Sequence, residues 1–87
     1  MTGFNICGMV VRSTDNRADD VRASLLAIPG VEIHSAESGR MVVTVESESY
    51  RKVADNINNI QYIDGVVSAS LVYQYSDQQD TQQESEQ

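Results

Sequence analysis

Ile28-Pro29-Gly30-Val31-Glu32-Ile33-His34-Ser35 returns in shortened form as Ile63-Asp64-Gly65-Val66, 35 positions further on (28 to 63). In both places a glycine turn stops a helical pattern and starts an extended one. Before the first turn, Ala18, Val21, Leu25 and Ile28 recur at steps of 3, 4 and 3, the stripe of an amphipathic helix. Ser13 to Asn16 offer turn and N-cap chemistry for it, and Asp19 and Asp20 sit in its first turn, where the helix dipole favours carboxylates. Before the second turn, Tyr50, Val53, Ile57 and Ile60 repeat the same spacing, with Ala54 beside them and Ser47 or Ser49 as cap.

The segments outside the helices read as strands. Phe4 to Arg12 is apolar on both alternating sets, as in a central strand. Val31 to Ser35 alternates with period two, and Met41 to Glu46 follows after Glu37-Ser38-Gly39-Arg40, so the two predict a hairpin. Val66 to Tyr75 reads as a long final strand. The order β-α-β-β-α-β, with right-handed crossovers, gives an α+β fold, the ferredoxin-like split sandwich. Two helices then cover one face of a four-stranded antiparallel sheet, and the other face stays open.

The chain has 87 residues, 13 acids, 6 bases and a formal charge of −7. That length supports one modest core and no deep catalytic cavity. From Ser76 to Gln87 there is no apolar residue, so the expected organisation is one domain over residues 1–75 and a disordered acidic, Gln-rich tail over 76–87. Asp77, Asp80, Glu84 and Glu86 belong to that tail; without these four, 9 acids stand against 6 bases, a net of −3. Such a chain lacks the clustered Lys and Arg that hold a phosphate backbone, but it can receive a basic peptide.

Cys7 and His34 are the single cysteine and the single histidine, which excludes an intrachain disulfide and a Cys/His metal cage. The N-terminus shows no basic region followed by an apolar run, and no stretch nears the ~20 apolar residues of a membrane span, so a cytoplasmic protein without membrane insertion is expected.

Alternation also assigns faces. Cys7, Met9 and Val11, then Val31 and Ile33, then Met41, Val43 and Val45, and finally Val67, Ala69, Leu71 and Tyr73 are expected to meet the helices. The complementary set falls on the open face: Ile6, Gly8, Val10 and Arg12, Glu32 and His34, Val42, Thr44 and Glu46, and Val66, Ser68, Ser70, Val72 and Gln74. Ile6, Val10, Val42 and Val72 form an apolar strip there, with small residues at Gly8, Ser68 and Ser70 and carboxylates at Glu32 and Glu46, a seat suited to a helix or an extended peptide. Exposed valines are also ordinary strand residues, and a homodimer could cover the same face.

Other chemistry leaves little trace. Cys7 has no neighbouring base and reads as a buried structural thiol. His34 has no nucleophile at a motif spacing and reads as a rim histidine. Glu32, Glu46 and Glu48 read as solvated charges near strand ends rather than a cation cage. Stacking aromatics, a paired-cysteine loop and a phosphate-cradling glycine loop are all missing.

Four stretches in order carry a resemblance: Cys7 with Met9-Val10-Val11; Ile28-Pro29-Gly30-Val31-Glu32; Ser38-Gly39-Arg40-Met41-Val42-Val43-Thr44-Val45-Glu46; and Gly65-Val66-Val67-Ser68-Ala69-Ser70-Leu71-Val72-Tyr73. Over nearly all of residues 4–75 the chain resembles the NapD family of periplasmic nitrate reductase assembly chaperones. The resemblance implies a cytoplasmic, non-enzymatic chaperone without a cofactor; a monomer is expected, although the sequence does not fix the oligomeric state. It would bind the twin-arginine signal peptide of the reductase's molybdenum-containing catalytic subunit, delaying export until cofactor insertion. The expected peptide-binding residues are Ile6, Gly8, Val10, Glu32, Val42, Thr44, Glu46, Ser68, Ser70 and Val72. The competing reading is a small-molecule-sensing regulatory domain of the same fold, with a plain homodimerisation module third.

Overall fold

The computed structural model describes residues 4–76; of the tail expected over 76–87, residues 77–87 lie outside the described residues, as do residues 1–3. In chain order the elements are β1 (Asn5–Ser13), a 3-10 turn (Asp15–Arg17), α1 (Ala18–Leu26), β2 (Val31–Glu37), β3 (Arg40–Ser47), α2 (Tyr50–Gln61) and β4 (Val66–Ser76). Among the described residues the strands form one antiparallel sheet in the order β2-β3-β1-β4, with both helices on one side. This is the expected ferredoxin-like split sandwich.

The repeated turn is a structural repeat. Val31 N–H donates to the Ile28 carbonyl at 3.2 Å and Val66 N–H to the Ile63 carbonyl at 3.0 Å. Gly30 and Gly65 stand at φ +88° and +101°, a region that side chains rarely adopt. Each glycine also lies close against another element: a Cβ on Gly30 would overlap the Glu46 carbonyl of the neighbouring strand, and one on Gly65 would press on Val21 and Arg17. The β2-β3 hairpin turns at Ser38-Gly39 with both residues at positive φ (50° and 78°), so Ser38 shares the left-handed conformation expected of the glycine alone.

Helix α2 begins as expected, with Ser49 Oγ accepting from Lys52 N–H at 3.2 Å. No side chain caps α1; the chain enters it through the 3-10 turn, where Arg17 N–H donates to the Thr14 carbonyl at 3.0 Å.

The core lies between sheet and helices. Cys7, Met9 and Val11 of β1 and Met41, Val43 and Val45 of β3 are buried beneath Val21 and Leu25 of α1 and Val53 and Ile60 of α2. Each fully buried aliphatic side chain contributes about 1.5–3 kcal/mol. Val31 is buried too, and Ile33 packs half-buried against the cluster.

Strand β4 departs from its expected pattern. Val67, Leu71 and Tyr73 were expected in the core, but they are 67%, 52% and 49% exposed, while Val66 and Ala69 pack against it. Two breaks in register with β1 explain the change of face. Gly8 pairs with Tyr73 and Met9 with Leu71, leaving Val72 as an extra residue; Arg12 pairs with Ser68 and Ser13 with Val66, leaving Val67 extra. Alternation therefore holds only from Ser68 to Leu71. Beyond Val72 the faces exchange, so Tyr73, paired with Gly8, joins the open face, and Gln74, expected there, pairs with Cys7 on the helix side. Val66 likewise joins the helix side instead of the open face. Leu71 faces the helix side but stays exposed, because β4 is an edge strand.

Ser76, assigned to the tail by composition, closes β4 and anchors its end. Its hydroxyl donates to Asn5 Oδ1 at 2.7 Å. Asn5 is fully buried, and its Nδ2 donates to the Ser47 and Glu48 carbonyls at 3.2 and 3.3 Å. One side chain thus ties together the start of β1 and the ends of β3 and β4.

Candidate functional site

The register lays the open face out in rows across the sheet. Glu46, Ile6 and Tyr75 form the first row; Glu32, Thr44, Gly8 and Tyr73 the second; Val42, Val10 and Ser70 the third; Glu37, Arg40, Arg12 and Ser68 the fourth. Over the first three rows lies a cavity of about 420 Å³ with an apolar floor and a charged rim. Ile6, Gly8, Val42, Thr44 and Val72 form its floor with Tyr73, and Glu32, His34 and Glu46 stand at its margin. Of the ten residues singled out from the sequence, Ile6, Gly8, Glu32, Val42, Thr44, Glu46 and Val72 line this cavity. Val10 and Ser70, in the third row beside Val42, and Ser68, in the fourth, are on the same face but do not line the cavity.

Besides Met9 and Val43 of the core, two lining residues stand outside those ten: His34, expected on this face as a rim histidine, and Tyr73, expected under the helices. His34 is the extra residue of β2, since Ile33 pairs with Val43 and Ser35 with Val42. Its Nε2 shares a hydrogen bond of 2.8 Å with Thr44 Oγ1 and lies 4.0 Å from Glu32 Oε1, which fixes the imidazole on the rim. Tyr73 is the other. Its ring covers Gly8, so that a Cβ there would overlap it. Gly8 was expected as a small residue of the peptide seat; the space it leaves is occupied by Tyr73, an aromatic filling a gap in the neighbouring strand. The run Leu71-Val72-Tyr73, apolar on both alternating sets, was the available sign of a break in alternation.

Cys7 is buried under the helices and desolvation pushes its thiol up, away from the reactive thiolate. Among the described residues no three His, Cys, Asp or Glu side chains gather as a metal site. Among them, too, no helix is long and apolar enough to cross a membrane. An apolar floor with acids at its edge can take up an apolar segment that also carries a cation.

Compared with known proteins, the chain matches the family described as NapD protein over residues 4–78. It belongs to the NapD family. Its relatives include Chaperone NapD of Escherichia coli K12, 32% identical over 80 residues that cover 90% of this chain and 92% of that one. Chaperone NapD of Haemophilus influenzae is 28% identical over 78 residues, 87% of this chain and 84% of the relative. The solution structure of the E. coli Tat proofreading chaperone protein NapD superposes with a TM-score of 0.75 at 31% identity, covering 97% of this chain and 87% of that chain. The NapD relatives are named as chaperones.

Proposed function

We propose that this protein is a cytoplasmic, non-enzymatic chaperone. It binds the twin-arginine signal peptide of the periplasmic nitrate reductase catalytic subunit on the open sheet face, delaying export until the cofactor is inserted. The observation that carries this reading is the apolar cavity with Glu32 and Glu46 at its margin, in a chain that is 31% identical to a solved Tat proofreading chaperone. An amphipathic signal helix lays its apolar side on Ile6, Val42 and Val72, and Val10, Ser68 and Ser70 extend the seat. Its arginines meet Glu46 and Glu32.

Solvated pairs of this kind contribute about 0–1 kcal/mol each, so buried apolar area supplies most of the affinity and the acids supply orientation. A signal whose arginines are held against carboxylates is hidden from the export machinery while it is bound. Recognition resides in residues 1–75, and deleting residues 77–87 should leave most of the affinity intact.

Titration calorimetry with a synthetic twin-arginine signal peptide tests the proposal. Binding is expected for the unaltered protein and should be lost or strongly weakened in Val42→Asp and Val72→Asp. The second site is 62% exposed, so its substitution should leave the fold intact. Unchanged affinity in both variants would remove the open-face site, and absence of binding by the unaltered protein would remove the chaperone reading. A metabolite panel that raises the melting temperature when the peptide does not would favour the small-molecule sensor.

A further inference from the structure

The open face is charged at both ends, and with opposite sign. Glu46 stands in the first row and Glu32 in the second, and Glu48 follows β3 beyond them. Six residues away along β1 and β3, Arg12 and Arg40 lie directly opposite each other, both exposed. Like charges in that position destabilise a sheet, and among the described residues neither arginine is in an ion pair. The acid of that row, Glu37, pairs with Arg40 in register but forms no ion pair with it and cannot balance both guanidinium groups. The tolerated repulsion leaves an unclaimed positive pole facing the same side as the cavity.

Resting on the signal-peptide reading, we propose that these two poles fix the direction of the bound helix. Its arginine-bearing N-terminal end lies at Glu32 and Glu46, and its C-terminal end lies over Arg12 and Arg40. A signal sequence places its basic region before its apolar run. Basic residues at the acidic pole therefore bring the apolar run over Ile6 and Val72 and then over the row of Val42, Val10 and Ser70. The six-residue separation of the poles spans about 20 Å along the strands, the length of a helix of about 13 residues. The unsatisfied carbonyls at the end of such a helix carry about half a negative charge and meet the two guanidinium groups. In the reverse direction the peptide arginines would face Arg12 and Arg40, and the helix C-terminus would face carboxylates.

Two measurements test the direction. A nitroxide at the N-terminus of a synthetic twin-arginine signal peptide should broaden the amide signals of Ile6, Glu46 and Ser47, and one at its C-terminus those of Arg12, Arg40 and Ser68. In addition, a peptide ending about 13 residues after its arginines should bind about two- to fivefold tighter as the free acid than as the amide. That ratio should fall to one in Arg12→Gln/Arg40→Gln, a variant whose melting temperature should not drop, because it relieves repulsion. Broadening in the opposite sense, or an acid-to-amide preference that survives in the double variant, overturns the assigned direction while leaving the peptide site standing. Absence of any peptide binding overturns the site and the direction together.

Discussion

Val42 and Val43 are chain neighbours on β3, yet Val43 is fully buried under the helices while Val42 lines the open cavity. The contrast runs through the sheet. On the covered side Cys7, Met9, Val11 and Val45 have almost no exposure, and the neighbouring charges stay outside. On the open side apolar residues are only partly covered and carboxylates stand among them. One side removes apolar surface from water within the chain; the other keeps a similar surface for a partner.

The sharpest way to break that comparison is to place the same carboxylate on each side. Val43→Asp buries an unpaired charge in the core and should remove on the order of 5 kcal/mol, the whole stability of a small domain. Val42→Asp should instead give a folded protein that no longer binds the signal peptide. Circular dichroism melting and calorimetry on both variants check this. A folded Val43→Asp protein, or an unfolded Val42→Asp one, would show that the two sides are not divided as described.

A smaller effect tests whether the open side also holds itself together. Gly8→Ala should displace the Tyr73 ring and cost about 1–3 kcal/mol, as overpacking does. In a Tyr73→Ala background the same change should become neutral, or stabilising by up to about 1 kcal/mol, because alanine restricts the unfolded chain. Urea unfolding of the four proteins in that cycle gives the coupling. Equal costs in both backgrounds would mean that the ring does not rest on Gly8.

Of similar or slightly smaller size is the buried asparagine. Asn5→Ala leaves the Ser47 and Glu48 carbonyls and the Ser76 hydroxyl without this partner and should cost about 1–3 kcal/mol. Hydrogen exchange should show the ends of β1, β3 and β4 opening together, with the cavity-lining amides of Val42 and Thr44 less affected. Unchanged exchange at Ser76 would detach Asn5 from that role.

These residues also show where sequence is a sufficient guide. Central strands β1 and β3 keep strict alternation, so period two placed Cys7, Met9, Met41 and Val43 correctly, and the Ile-x-Gly-Val repeat located both helix-to-strand turns. In β4 and β2 the extra residues Val67, Val72 and His34 break the parity on which such a reading depends. An edge strand pairs on one side alone, which leaves room for bulges that a central strand resists. Asn5 was illegible for another reason. Its partners lie 42, 43 and 71 positions away, two of them are backbone carbonyls, and backbone carbonyls have no sequence signature.

The smallest expected effect lies away from both faces of the sheet, in the turn before β4. Arg17 Nη2 donates to Asp64 Oδ2 at 2.8 Å, joining the entry of α1 to the second copy of the repeated turn. That hydrogen bond first, and the attraction of the guanidinium second, hold the Asp64 carboxyl below its ordinary value of 3.8. A carboxylate with a lowered folded pKa stabilises the fold above its unfolded pKa, and the contribution disappears as the pH falls through the lowered value. Asp64→Asn should therefore melt slightly earlier than the unaltered protein at pH 7, and the two curves should converge once the pH is below the folded pKa of Asp64. Because both side chains are solvated, moderate salt should shrink the gap at pH 7. A gap that persists in strong acid would assign the effect to turn conformation beside Gly65 rather than to charge. Signal-peptide affinity should be the same for both proteins, because this pair belongs to the helix layer and faces no part of the cavity.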